Sequence, residues 1–274
     1  MRNSSKFFDS SLDIKNTILE VEKVGTMSEA DIVKMFHLFD FYGFAVLQCK
    51  DLKNQSDDLL LLSKLFGNVT KHNRADNRGV VPITNLPGHS EYLGASNEPH
   101  PLHTDSPFAK TPPKVMALQC EVPDTEDGFT NLVSCNAIYQ YLEKYDPEGL
   151  KLLFRSDIFT VKRDNQSATR AIFESRSGRI SMAFRTNDSF AEVSIIQEAK
   201  DTMDLIISFI NNIRNQLTFK LERGQILITD NLSILHGRTG FRKNSPRYLN
   251  RVNFDGQLEY DPRISFGFEP VIYE

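Results

Sequence analysis

The stretch Pro101-Leu102-His103-Thr104-Asp105 sets an imidazole and a carboxylate two positions apart. On a strand, side chains two apart share a face, so both groups can reach one ion. Two protein ligands hold a catalytic metal poorly, and the candidate for a third is His236, in Ile234-Leu235-His236-Gly237-Arg238. Two histidines and one carboxylate on one side of a metal leave three positions open, the facial arrangement of non-heme iron chemistry. A lone His-x-Asp pair is weak evidence, because short polar stretches produce it by chance. Arg247, eleven positions after His236, strengthens it: a guanidinium is a planar fork for a carboxylate and keeps its charge at any working pH.

These residues need rigid elements to bring them together. Ser28 followed by Asp31 reads as a capped helix start, and Ile32, Met35, Phe36 and Phe39 fall at the spacing of one buried helical face. Gly43 to Leu47 is short, apolar and β-prone, and helical character resumes from Leu59 to Phe66, closed by Gly67. From Asn73 to Pro101 the chain is rich in Asn, Gly, Pro and Ser, which predicts long loops. Val115 to Cys120 and Asn131 to Val133 read as strands across a turn at Asp124 to Gly128. A short helix through Ile138, Tyr141 and Leu142 is expected to stop near Asp146-Pro147. A long amphipathic helix after Glu198 is marked by Met203, Ile206, Ile207, Ile210 and Ile213. Short β-prone runs follow at Leu217 to Leu221, Gln225 to Thr229, Ser233 to His236 and Leu249 to Phe254, the spacing of a barrel or sandwich. There is no internal repeat or linker, so one domain over residues 1–274 is expected.

The composition narrows the partners. The chain has 40% hydrophobic and 25% charged residues and no apolar run long enough for a bilayer, so no membrane partner is expected. The N-terminal residues lack the apolar stretch of a secretory signal, and Cys49, Cys120 and Cys135 are too few and scattered for a disulfide framework, which together predict a cytoplasmic protein. A net charge of -4 with interspersed signs leaves no nucleic-acid footprint. A small-molecule substrate is the expected partner, and a homo-oligomer is compatible with this composition.

Taken together, Pro101 to Asp105, Gly128-Phe129-Thr130, Thr229 to Arg238, and Arg247 through Arg251 resemble, in order and spacing, the taurine dioxygenase (TauD/TfdA) family of Fe(II)/2-oxoglutarate oxygenases. The resemblance extends from about Gly43 to about Phe254. It implies an α+β fold, a double-stranded β-helix (jelly-roll) core with flanking helices. It also implies that His103, Asp105 and His236 are catalytic iron ligands, and that Arg247 binds the distal carboxylate of 2-oxoglutarate with the Thr130 hydroxyl beside it. The implied reaction consumes 2-oxoglutarate and O2, releases succinate and CO2, and hydroxylates, desaturates or oxidatively decarboxylates a substrate. Halogenating relatives carry a small residue where the carboxylate stands, so Asp105 argues against halogenation. Residues 226–251 look most like the branch that tailors amino-acid-derived isonitriles, and Pro101 to Asp105 resembles butyrobetaine hydroxylases. Both suggest a small amino-acid-like substrate, in specialised metabolism.

Further residues have a functional and a plain structural reading. Arg251 falls where some relatives bind substrate and shares a strand face with Arg247; otherwise it is a surface ion-pair partner. Asn97 can contact substrate or serve its turn, and Phe184 and Arg185 can line the pocket or belong to an alternating strand. His100 reads as a rim histidine outside the ligand set, and Arg238 as a brace for His236 through a nearby carboxylate. Two other functions fit parts of the pattern. A zinc hydrolase uses the same donors but needs a general base and gives no role to Arg247 and Thr130. A non-catalytic ligand-binding barrel would use the metal residues for structure.

Overall fold

The computed structural model describes residues 6–86, 92–257 and 263–270. Helix α1 (Glu29–Tyr42) starts on the predicted cap: the Ser28 hydroxyl accepts from the Asp31 amide while the Asp31 carboxylate accepts from the Ser28 amide. Gly43, in the left-handed region at φ 80°, ends it and turns the chain directly into a strand.

The larger sheet runs in the order β1 (Ile18–Val21), β2 (Phe44–Cys49), β13 (Gln225–Asp230), β5 (Val115–Val122), β15 (Tyr248–Phe254) and β3 (Val81–Ile83). The smaller sheet has the order β12 (Leu217–Phe219), β6 (Thr130–Ser134), β14 (Ile234–Arg238) and β4 (His100–His103). Alternation along the strands sorts the side chains into layers. Ile226 and Ile228 of β13 pack toward α1, while Leu227 packs between the sheets with Leu132, Ile234 and Leu249. On β14, Leu235 joins an outer core, whereas Ile234 and His236 point inward. The interior of this jelly roll is where the histidines meet. Two further sheets, β11 (Glu192–Ile195), β7 (Phe159–Arg163), β8 (Gln166–Arg170) and β10 (Arg179–Met182), β9 (Phe173–Arg176), pack on the outer face of the smaller sheet with α4 (Cys135–Tyr145) and α6 (Lys200–Asn211). The fold is α+β, as expected.

Several boundaries differ from the sequence reading. Residues 59–66 are not one helix: α2 (Gln55–Leu60) and α3 (Ser63–Phe66) divide them. The stretch 73–101 holds β3, a 3-10 turn at Leu93–Ala95 and the start of β4. Asp146-Pro147 begins α5 (Pro147–Leu152) as it ends α4, because Asp146 accepts from the Gly149 amide and Pro147 sits at the first helical position. Helix α6 stops at Asn211, so Ile213 lies beyond it and is 79% exposed. Its hydrophobicity continued the helical period, but the backbone turns extended at Asn212.

One buried ion pair closes the assembly. Asp230, at the end of β13, receives Lys6 Nζ at 2.7 Å, the Ser233 hydroxyl at 2.8 Å and the amides of Leu232 and Gly267 at 2.9 Å. Both partners are fully buried, so removing one strands the other's charge. Lys6→Ala is therefore expected to lose about 3 kcal/mol in chemical denaturation. Breaking the exposed Lys151–Glu148 pair by Glu148→Ala should leave the unfolding midpoint unchanged.

Candidate metal centre

Strands β4 and β14 place His103 and His236 directly opposite each other in antiparallel register. Their rings lie 4.4 Å apart, and Asp105 Oδ1 is 3.4 Å from His103 Nε2 and 3.6 Å from His236 Nε2. One donor atom from each of the three falls within 4.8 Å of the others. Close register at this point requires Gly237, since a β-carbon there would sit 2.7 Å from the His100 carbonyl oxygen.

His103 and Asp105 do not share a strand face as expected. Strand β4 ends at His103, and Thr104 bonds instead to Phe184, its amide donating to the Phe184 carbonyl and its hydroxyl accepting from the Phe184 amide. Asp105 is held beyond the strand end by two asparagines. Asn231 clamps its backbone, accepting from the Asp105 amide at 2.6 Å and donating to the Asp105 carbonyl at 3.1 Å. Asn253 donates to Oδ2 at 2.9 Å, and Arg251 Nη1 lies 3.2 Å from Oδ1. The Arg251 guanidinium thus engages the buried Asp105 carboxylate rather than a surface partner.

These contacts set the protonation states that a metal needs. Burial opposes ionisation of Asp105, but Arg251 and the two imidazoles outweigh it and hold its carboxyl well below the usual range. Burial, then the neighbouring His236, push His103 down to about 4. His103 Nδ1 lies 2.8 Å from the Pro101 carbonyl, which fixes the proton on Nδ1 and leaves the Nε2 lone pair facing the site. His236 Nδ1 is buried without a partner.

A second constellation adjoins the triad at His236. Thr130, Arg238, Arg247, Met116 and Leu118 line a small cavity with it. Arg247 packs against Gly128, where a β-carbon would stand 2.9 Å from the Arg247 Nε and where φ is 69°. Only glycine suits that approach. Asp124 braces the same turn: it accepts from the amides of Glu126 and Asp127 and from the Ser245 hydroxyl, two residues before Arg247. Although burial opposes it, these bonds lower Asp124 to about 2.

Arg238 does not pair with a carboxylate to brace His236. Its Nη2 donates to the carbonyls of Leu93 and Ser96, at 3.0 and 2.6 Å, and its guanidinium covers Phe241, as does that of Arg247. Burial lowers Arg238 to about 9 and Arg247 to about 10, so both stay charged at neutral pH. Arg247 Nη1 and the Nε and Nη1 of Arg238 are buried with no acceptor. Unpaired buried donors around a threonine hydroxyl suit a carboxylate group.

Of the remaining predicted residues, Asn97 has its amide committed to the Phe241 carbonyl at 3.1 Å and lines neither cavity. Phe184 is fully buried in the outer core with Phe159. Arg185 does reach a cavity beside His103 and Asp105, pairing with Asp188 at 2.6 Å. His100 stacks on His103 at 4.2 Å without joining the donor cluster.

A family model described as the taurine catabolism dioxygenase TauD, TfdA family matches residues 13–253. The chain is 25% identical over 189 residues to a trimethyllysine dioxygenase of Meyerozyma guilliermondii, covering 62% of this chain and 46% of that protein. It is 25% identical over 172 residues to a 3-((Z)-2-isocyanoethenyl)-1H-indole synthase of Fischerella ambigua, covering 56% and 62%. The chain thus spans about half the length of these relatives. The solved structure of the non-heme iron oxygenase OrfP with Fe, succinate and (3S)-hydroxy-L-Arg superposes with a TM-score of 0.68 at 16% identity, covering 86% of this chain and 83% of that one. That likeness establishes the fold.

Two outcomes check this geometry. In metal-free protein, the His103 ring resonances should stay flat from pH 8 to about 5 and titrate near 4. The unfolded chain takes up that proton near 6.5, so His103 withdraws stability as pH falls from about 6.5 towards 4. A His103 midpoint near 6.5 contradicts the burial and tautomer described. Asn253→Leu should weaken Mn(II) binding by about 10–100-fold while leaving the circular dichroism spectrum intact. Unchanged metal affinity would remove the Asp105 contact from the argument.

Proposed function

The chain belongs to the TauD/TfdA dioxygenase family, and on that premise we propose that it is an Fe(II)- and 2-oxoglutarate-dependent oxygenase acting on a small amino-acid-like metabolite. The observation that carries this reading is the adjacency of a His103–Asp105–His236 donor set to buried, unpaired guanidinium N–H groups at Arg247 and Arg238. The donors suit Fe(II): two imidazole nitrogens and one carboxylate oxygen, with the rest of the coordination sphere left to exogenous ligands. In this reading the whole chain, residues 1–274, is one cytoplasmic catalytic domain.

When bound, iron with 2-oxoglutarate reduces O2 by four electrons, two from decarboxylation to succinate and CO2 and two from the substrate. The chain's own residues supply binding and electrostatics. Arg247, with Arg238 beside it and the Thr130 hydroxyl on the facing strand, receives the distal carboxylate of 2-oxoglutarate and fixes its keto-acid end toward the triad. Arg251 and Asn253 keep Asp105 ionised and oriented, and the Pro101 carbonyl keeps His103 in the ligating tautomer. The apolar walls Ile83, Met116 and Leu118 exclude bulk water from this end.

An amino-acid-derived substrate, within specialised metabolism, fits the arginines that line the cavity at His103 and Asp105. In this role Arg251 and Arg185 face the substrate, while Phe184 supports the wall from the core and Asn97 fixes the loop. A zinc hydrolase would need a general base beside the metal-bound water, and Asp105 itself is the single acidic side chain among the described lining residues. A non-catalytic ligand-binding barrel could satisfy the open donors of Arg238 and Arg247 with a bound anion, but it gives no reason for a second constellation of three metal-donor side chains directly beside them.

Replacing Arg247 with Ala should raise the 2-oxoglutarate concentration needed for oxygen-dependent succinate formation about 100-fold, the worth of a charge-assisted bidentate contact, and leave Mn(II) affinity near wild type. Collapse of metal affinity in this variant would contradict the role given to Arg247.

A further inference from the structure

The cavity that meets the triad at His103 and Asp105 is ringed by Arg74, Arg163, Arg185 and Arg251, with the Tyr92 ring among them. Asp105 is engaged by Arg251 and belongs to the donor set, so it is not available to neutralise the others. Arg185 has Asp188 as its partner, yet its Nε is buried without an acceptor, as is the Nε of Arg251. Arg163, at the end of β7, is the least compensated. Its nearest carboxylate is the largely exposed Asp164, 3.9 Å away, and its guanidinium makes no hydrogen bond with any described residue. Its guanidinium rests instead on the rings of Tyr92 and Phe108, 5.5 Å from each. Arg74 lies 5.1 Å from the same Tyr92 ring.

Like charges gathered in a poorly hydrated space repel one another and lose solvation, so they weaken the fold unless something else compensates them. Burial and then Arg185 depress the Arg163 guanidinium, which places these two within electrostatic reach. At Arg163 and Arg185 the missing compensation is an anion, and the open Nε–H of Arg185 is one of its hydrogen-bond donors. A quaternary ammonium group meets the opposite environment. Such cations are recognised by aromatic faces and nearby acids, whereas Tyr92 already carries two guanidiniums and, among the described lining residues, the one carboxylate is Asp105, which Arg251 engages.

We propose that this cavity binds an anionic substrate through a carboxylate gripped by Arg163 and the Nε–H of Arg185, and that it rejects quaternary ammonium groups. Calling this ligand the substrate rests on the oxygenase reading; the anion site itself rests on the arginines.

The test uses protein loaded with Mn(II) and 2-oxoglutarate, which occupy the triad and the Arg247 cavity without turnover. Inorganic sulfate and tetramethylammonium serve as probes in calorimetric titrations. Sulfate should bind wild type at least about ten-fold more tightly than Arg163→Gln, with Arg163→Lys recovering part of the difference, and tetramethylammonium should not bind. Without ligands, Arg163→Gln should unfold at or above the wild-type temperature, since repulsion is relieved. Equal sulfate affinity in wild type and Arg163→Gln overturns the proposal, as does tetramethylammonium binding. A markedly lowered unfolding temperature in both Arg163 variants would make Arg163 structural and overturn it too. Failure of wild type to take up 2-oxoglutarate would instead remove the oxygenase reading, so the two failures are distinguishable.

Discussion

A carboxylate buried between two sheets has to be compensated from both, and Asp105 is held in that way. Its side chain is met by Arg251 and Asn253 from β15 of the larger sheet, while its backbone is clamped by Asn231 in the turn that leads from that sheet into β14. The two imidazoles come from the smaller sheet as cross-strand neighbours. The donor cluster therefore exists only when the sheets are correctly registered on each other. The Lys6–Asp230 pair, adjacent in sequence to Asn231, fixes the same turn against segments near both ends of the described chain. Stability and site geometry share one joint.

Charge is distributed around this joint with a consistent sense. Asp105 is the lone acid among the described residues lining the two cavities, and Arg163, Arg185, Arg238 and Arg247 lie around it with open or weakly compensated N–H groups. In a folded interior such an excess costs free energy, so the fold carries it where exogenous anions restore the balance. On the His236 side the open donors of Arg238 and Arg247 suit the far carboxylate of a dicarboxylate. On the His103 side Arg163 and Arg185 suit a second anion. The His103–Asp105–His236 donor cluster lies between these two positive fields, which fits the proposed reaction, in which cosubstrate and substrate must both approach one ion.

Much of this was legible in the residues. His103, Asp105, His236 and Arg247 could be singled out because ligand chemistry is written in residue type, Thr130 followed only from the family resemblance, and helix α1 was marked by its own cap, whereas the shared strand face expected of His103 and Asp105 failed because β4 ends at His103. What escaped depends on contacts far apart in the chain. Asn231 touches Asp105 across 126 positions, and Asn253 does so across 148. Asn253 lies two residues beyond Arg251 on one strand, so parity could have flagged it; nothing local marks Asn231. Asn97 and Phe184 were misleading because a polar loop residue and an aromatic near a site look alike whether they face a cavity or the core. In the segment between α5 and α6, β7 alternates, with Phe159 and Val161 buried, but β8 and β9 carry few apolar residues, and nothing local points the arginine at the end of β7 toward the donor cluster.

The central claim is that His103, Asp105 and His236 hold an iron that 2-oxoglutarate chelates beside Arg247. Its most direct test is anaerobic addition of Fe(II) and 2-oxoglutarate with visible absorption spectroscopy. A weak visible charge-transfer band is expected in wild type and is expected to be lost in His236→Ala. Absence of the band in wild type, or its undiminished presence in His236→Ala, would contradict that claim.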